Sequence, residues 1–275
     1  MKSAPEHYAV VGHPIAHSLS PWIHQQFAQQ TGRSLSYTAI DASPAQLAPR
    51  VREFFAQDGR GLNITVPHKQ AVLALVDTLS ERARRAGAVN TIACDADGRL
   101  RGENTDGSGL VRDLTVNLGL QLRGLRVLML GAGGAARGVL APLLALGLLE
   151  LHIVNRSAAR AQQLAEVFAE QGPVRGGGFE QLSGLDYGLI INATAASLKD
   201  ELPPLPAAVL TAETVCYDLA YAHAATRFVQ WARSHGSARA FMGVGMLVEQ
   251  AADSFLLWHG VRPDTAPVLA ALRQA

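Results

Sequence analysis

Short apolar runs alternate along the chain with longer stretches of helical periodicity. Residues 8–12 form an apolar run that ends in glycine, which predicts a strand and a turn. The next segment reads as a helix, with Ser20 as its cap, Pro21 in its first turn and Gly32 closing it. Residues 36–41 read as a second strand, 44–58 as a helix, and 61–66 as a third strand that Pro67 ends. Helical patterns follow from about His68 to Ala86. Residues 90–95 and 99–104 flank Ala96-Asp97-Gly98, a hairpin signal.

The pattern then restarts. Residues 107–120 read as a helix and 126–131 as a buried strand, followed by a glycine-rich turn and a second helix. A strand at 151–156, a helix at 157–172 and strands at 187–194 and 214–221 continue the alternation. Such βαβ order predicts an α/β protein whose second half is a Rossmann-type nucleotide-binding module. Residues 246–260 form a long amphipathic helix with no strand of their own, so they are expected to pack back on the first half. The expected organisation is two domains: an α/β domain at 1–106 completed by the C-terminal helices at 243–275, and the Rossmann-type domain at 107–242.

Composition narrows the class. Of 275 residues, 48% are hydrophobic and 17% charged, which suits a folded chain rather than a disordered one. The net charge is +1 with signs intermixed, so no nucleic acid partner is expected. Two distant cysteines, Cys94 and Cys216, give neither a disulfide framework nor a zinc spacing, which suits a reducing cytosol. Residues 139–154 are the most apolar stretch. They contain Pro142, Gly147 and Glu150 and are too short to span a bilayer. The first residues hold only a short apolar run approached through Glu6 and His7, a poor signal peptide. A cytoplasmic protein without membrane contact is expected, as a monomer or homodimer.

Gly131, Ala132, Gly133, Gly134, Ala135 and Ala136 fit G-x-G-x-x-A directly after a strand and at the start of a helix. The first glycine makes the turn, the second admits a pyrophosphate to the helix N-terminus, and Ala136 allows close helix–strand packing. A glycine turn without a ligand would look the same in isolation; the strand–turn–helix–strand order favours a dinucleotide. The end of the next strand reads Asn155-Arg156-Ser157, with Arg160 four residues after Arg156. No acid is present to hold a ribose 2′-hydroxyl, and two arginines on one helical face suit a 2′-phosphate. Ordinary surface arginines are the alternative, although arginine at a helix N-terminus opposes the dipole. The expected cofactor is therefore NADP.

The first half carries four polar clusters at strand ends. In the first, His13 to Ser20, Ser18 and Ser20 could bind a carboxylate beside free helix amides, or serve as turn and cap residues. His13 and His17 lack a third ligand at a matching spacing, so no metal is expected. The second places Lys69 just past Thr65 and Pro67. The third contains Asn90 and the fourth Asp106, which could equally cap a helix starting at Gly107.

Taken together these motifs resemble the shikimate dehydrogenase family: G-x-P-I-x-H-S-x-S-P at 12–21, N-[IV]-T-x-P-x-K at 63–69, G-A-x-N-T at 87–91 and N-T-D-G at 104–107. They are followed by the G-A-G-G-A turn at 131–135, N-R-[ST] at 155–157, N-A-T at 192–194, Y-D-x-x-Y at 217–221 and G-M-L-x-x-Q at 245–250. The resemblance covers essentially the whole chain, in order. It implies reduction of 3-dehydroshikimate to shikimate with NADPH, in the chorismate route to aromatic amino acids. By that resemblance Ser18 and Ser20 would bind the substrate carboxylate. Thr65, Lys69, Asn90, Asp106, Tyr221 and Gln250 would surround the ring hydroxyls. Lys69 paired with Asp106 would carry the proton, and Glu81, Leu219 and Gly243 would line the cofactor side. Departures from the family pattern are Met242 for aspartate, Ala195 for serine or threonine, Gln25 for asparagine and Leu219 for methionine. The competing readings are a quinate/shikimate dehydrogenase of broader specificity, disfavoured by the missing acid, and a non-catalytic dinucleotide-sensing paralogue, which would need neither Lys69 nor Asp106. No G-x-S-x-G elbow supports a serine hydrolase.

Overall fold

The computed structural model describes residues 4–182 and 186–274; the outermost positions of the expected first domain, 1–3 and 275, lie outside them. The first elements in chain order are β1 (Glu6–Gly12), α1 (Ser20–Thr31), β2 (Leu35–Asp41), α2 (Leu47–Ala56), β3 (Gly59–Ile64), β4 (Thr78–Leu79), α3 (Glu81–Ala86), β5 (Thr91–Cys94), β6 (Leu100–Glu103) and α4 (Asp106–Arg112). Then come β7 (Arg126–Leu130), α5 (Gly134–Leu144), β8 (Glu150–Val154), α6 (Ala158–Phe168), β9 (Val174–Gly177), β10 (Leu189–Asn192), β11 (Val215–Asp218), α7 (Arg227–Ser234), β12 (Ala240–Met242), α8 (Val244–His259) and α9 (Ala266–Gln274). The chain divides into two compact units, Met1–Leu110 with Leu247–Ala275, and Val111–Met246.

The first unit holds a mixed sheet in the order β2-β1-β3-β5-β6-β4. Strand alternation sends its side chains to two cores. Tyr8 and Val10 join Ile23 and Phe27 of α1 and Val248, Ala252 and Phe255 of α8. Ala9 and Val11 join Val51 of α2, Val72 and Ala83 on the opposite face. Glycines admit the closest contacts. A Cβ on Gly61 would collide with the Trp258 indole, which donates to the Ile92 carbonyl at 3.0 Å. One on Gly109 would lie 2.7 Å from the Gln250 amide nitrogen of α8.

The second unit is a parallel sheet in the order β12-β11-β10-β7-β8-β9, the doubly wound order in which the strand sequence reverses beside β7. Its four inner strands, β7, β8, β10 and β11, are buried almost throughout, as parallel strands covered on both faces must be, while the edge strands β9 and β12 are mostly half-buried.

Several expected boundaries need correction. Leu19, not Ser20, caps α1, and no side chain bonds there; the Ser20 N–H instead donates to the Ser18 hydroxyl at 3.3 Å. The helix expected over 44–58 starts at Leu47, after a turn in which the Gln46 side chain accepts from the Ser43 N–H. The helical stretch expected over 68–86 is broken. A 3-10 turn at Ala71–Leu75 leads to β4, which pairs with β6, and α3 restarts at Ser80, whose hydroxyl accepts from the Ala83 N–H. Edge pairing and a real cap override apolar periodicity there. Strands β9 and β12 are too short to carry a pattern of their own, and the sequence reading missed helix α7 although Thr226 caps it and Phe228, Val229 and Ala232 form its buried face. Gly176 of β9 is required by packing, because a Cβ there would strike the Ala161 carbonyl of α6.

His24 is the anomaly of the first core. It is buried, stacked on Tyr37 with centroids 4.2 Å apart, and neither ring nitrogen has a hydrogen-bond partner among the described residues. Burial, with His259 facing it, lowers its pKa to about 3; the nearby Asn63 amide offsets this only in small part. Unfolded, the same group titrates near its ordinary value, so between those values the unfolded chain binds a proton that the folded chain refuses. Stability is therefore complete above the ordinary value and is lost as pH falls through the window toward 3, by about 2 kcal/mol between pH 7 and 5. His24→Phe keeps the ring and removes the titration. Its melting temperature should fall less between pH 7 and pH 5 than that of the parent; an equal fall would show that His24 does not set the acid sensitivity.

Candidate active site

Three of the four polar clusters of the first unit, those carrying Lys69, Asn90 and Asp106, converge at one place. After β3, the Thr65 N–H is held by the Val11 carbonyl at 2.9 Å, the His68 N–H closes a turn on the Thr65 carbonyl, and the Lys69 carbonyl accepts from Val89 N–H at 2.8 Å. That turn fixes the Lys69 backbone, and its Nζ donates to Asp106 Oδ2 at 2.6 Å. Both side chains are largely withdrawn from water, at 13% and 4% exposure, so the pair is only weakly screened. Asp106 opens α4 without capping it. Its second oxygen accepts from Asn90 Nδ2 at 2.9 Å, and its own N–H is held by Asn104 Oδ1. The helix-cap alternative is therefore not what the carboxylate does.

Asn90 organises the surroundings. Its Oδ1 accepts from the Thr105 backbone N–H at 2.8 Å, which fixes the amide's orientation, because a backbone donor cannot reverse. Its Nδ2 faces Asp106, Thr105 and, at 3.2 Å, Gln250 Oε1. Gln250 in turn donates to the Leu247 carbonyl. Behind Asn90 lies a buried layer that the sequence reading gave no role: Thr91, Ser254, Asn63 and Tyr37. The Asn63 amide donates toward Thr91 and Ser254 at 3.0 Å and accepts from the Tyr37 hydroxyl at 2.7 Å. Polar residues embedded in apolar strand patterns were the available signal.

The other expected first-unit residues are placed as follows. Ser18 is half-buried and Ser20 buried at the start of α1. His13 forms an exposed pair with Asp41 at 2.8 Å, and no cluster of three metal-ligating side chains exists among the described residues. Glu81 is exposed on α3, where hydrogen bonds from Arg85 and Arg84 hold its carboxyl below the usual range.

In the second unit the G-x-G-x-x-A turn runs from β7 into α5. Gly131 has φ +101°, a conformation that favours glycine, and a Cβ there would lie 3.1 Å from the Ala193 carbonyl. Gly133 is the N-cap of α5, and a Cβ on it would meet nothing within 4 Å. Its lack of a side chain thus leaves open space ahead of the helix-end amides of Gly134 and Ala135, which fits a pyrophosphate cradle. Ala132 precedes that cap.

After β8, the Asn155 amide donates to the Ser157 carbonyl, and Ser157 caps α6. Arg156 precedes the cap, so only Arg160 sits on the helix; the expectation of one shared helical face is corrected. Both arginines are exposed, and among the described residues neither guanidinium has an acceptor. Leu219 and the half-buried Tyr221 follow β11, and Gly243 follows β12 with its N–H on the Ala220 carbonyl at 3.0 Å. Tyr217, also without an assigned role, donates to Asp113 at 2.6 Å and accepts from the Met246 N–H of α8.

Comparison with known proteins matches all of these regions. Family models described as "Shikimate dehydrogenase substrate binding domain", "Shikimate / quinate 5-dehydrogenase" and "Shikimate 5'-dehydrogenase C-terminal domain" match residues 10–92, 114–198 and 243–273. A curated protein of Alkalilimnicola ehrlichii, named shikimate dehydrogenase (NADP(+)), is 55% identical over 98% of each chain. The solved structure of an Ael1 enzyme from Pseudomonas putida is 47% identical, with TM-score 0.89, over 97% of this chain and 98% of that one. Shikimate 5-dehydrogenase from Thermus thermophilus, solved in complex with NADP(H) and shikimate, is 38% identical, with TM-score 0.85, over 98% and 99%. The chain belongs to the shikimate dehydrogenase family.

Proposed function

We propose that this chain is an NADP-dependent oxidoreductase that interconverts 3-dehydroshikimate and shikimate, with Lys69 and Asp106 handling the proton. The observation that carries the reading is the 2.6 Å contact of Lys69 Nζ with a carboxylate that Asn90 holds from its other side. NADPH, when bound, supplies the hydride. As negative charge develops on the carbonyl oxygen, an N–H of the Lys69 ammonium donates its proton there. In the reverse direction neutral Lys69 accepts it from the hydroxyl. Asp106 accepts in both of its side-chain contacts, so it holds the lysine in place.

The remaining roles belong to the same proposal. Ser18 and Ser20 hold the substrate carboxylate. Thr65, Asn90, Tyr221 and Gln250 meet the ring hydroxyls. Gly131, Ala132, Gly133, Gly134 and Ala135 receive the pyrophosphate, Asn155, Arg156, Ser157 and Arg160 the 2′-phosphate, and Glu81, Leu219 and Gly243 flank the rest of the cofactor. The cytosol is the proposed setting, and two free thiols, Cys94 and Cys216, suit it. A quinate-using enzyme is the second reading, favoured only by the description of one matching family model.

Replacing Lys69 by Met should lower kcat by roughly 10²–10⁴-fold while NADPH still binds with the parent's affinity. Asp106→Asn, which preserves shape, should also lower kcat; a change in melting temperature alone would leave Asp106 with a purely structural role.

Cofactor choice gives an independent test. Two charge-assisted contacts to a 2′-phosphate give a preference for NADP on the order of a hundredfold, smaller at high salt because both arginines are exposed. Arg156→Ala should raise KM for NADP and leave KM for NAD nearly constant. Equal kcat/KM with both cofactors in the parent enzyme would refute the arginine assignment and put the quinate reading first.

A further inference from the structure

Asp218 closes β11 and is fully buried. Four neutral donors converge on its carboxylate. Oδ1 accepts from the Asn192 amide at 3.2 Å and the Ala220 backbone N–H at 3.1 Å. Oδ2 accepts from the Ser197 hydroxyl at 2.6 Å and the Thr226 hydroxyl at 2.7 Å. Burial raises its pKa, and these hydrogen bonds, that of Ser197 foremost, oppose the rise. Among the described residues no cation pairs with it. A buried carboxylate without a counter-ion is an expensive way to stabilise a fold, since well-packed apolar groups commonly do as well or better. What four convergent bonds supply instead is fixed geometry.

The donors come from three segments. Asn192 ends β10 and Ser197 follows it, Ala220 lies after β11, and Thr226 caps α7 through its contact with the Val229 N–H. Two backbone bonds extend the block: Leu219 N–H to the Asn192 carbonyl at 2.9 Å, and Gly243 N–H to the Ala220 carbonyl at 3.0 Å. The block therefore contains Leu219, Ala220 and Gly243, and Tyr221 is the next residue in the chain. It stands at the carboxyl ends of β10, β11 and β12, the edge of a parallel sheet where ligands bind.

We infer that Asp218 is a positioning residue: it holds the Leu219–Tyr221 segment and Gly243 where they meet the nicotinamide and the substrate ring. The inference rests on the shikimate dehydrogenase reading above. Asp218 takes no donor from the Gly131–Ala135 turn or from the segment carrying Arg156 and Arg160, so the two ends of the cofactor depend on it differently.

Asp218→Asn keeps the shape but cannot accept from all four donors. It should lower kcat by about 10–10²-fold, the scale of a misplaced reacting group, while the dissociation constant for 2′,5′-ADP, which reads the phosphate end alone, stays at the parent's value. Ser197→Ala removes one donor and should give a smaller loss of the same kind, so the inference stays testable if the first variant fails to fold. If both folded variants match the parent in kcat and KM and differ only in melting temperature, Asp218 is structural and the inference falls. Equal weakening of 2′,5′-ADP binding would also overturn it, because the damage would then be general. If the parent itself fails to oxidise shikimate with NADP, it is the enzymatic reading that falls.

Discussion

The contact between Lys69 and Asp106 is the constraint around which the first unit is built. Withdrawing both charges from water costs several kcal/mol per ion unless other groups compensate. The compensation is visible: Asn90 donates to the carboxylate, Thr105 fixes Asn90, and Thr91, Ser254, Asn63 and Tyr37 satisfy the atoms behind them. These groups come from β2, β3, β5 and the residue ahead of it, α8, and the loop ahead of α4. Helix α8, remote in sequence from the strands, completes the same polar layer with Gln250 and Ser254.

The second unit solves the opposite problem. Its sheet interior is largely apolar, with His152 bonded to the Tyr187 hydroxyl as a buried exception, and many of its polar groups collect at the carboxyl ends of the strands, where β–α turns leave backbone amides without helical partners. Gly131 and Gly133 are glycines for different reasons. The first needs its backbone conformation and its closeness to Ala193; the second leaves space that no protein atom fills. Asp218 and Tyr217 end one buried strand with two separate polar ties, one to the loops beside the sheet edge and one to Asp113 and Met246.

Much of this was legible in the sequence, for a physical reason. The hairpin at Ala96-Asp97-Gly98, the glycine turn after β7 and the missing acid after β8 are local signals that depend on backbone conformation or charge at one place. The Lys69–Asp106 pairing was legible only through the family's motifs, since nothing local joins two residues 37 positions apart. What could not be read depends on tertiary choice. Edge strands β4, β9 and β12 are too short to show alternation, and α1 starts one residue earlier than a Ser20 cap implies, with Leu19 at its N-cap. The hub at Asp218 looked like one letter of a motif until three segments met on it.

The central claim is that Lys69 and Asp106 act as one unit on one proton, and a double-variant cycle tests it most directly. The kcat of the parent, Lys69→Met, Asp106→Asn and the combined variant are measured with shikimate and NADP. Residues that act as a unit are strongly non-additive, so the combined variant should be no slower than Lys69→Met alone. Losses that simply multiply would contradict the account, for they would mean that Asp106 contributes to turnover independently of the lysine it touches.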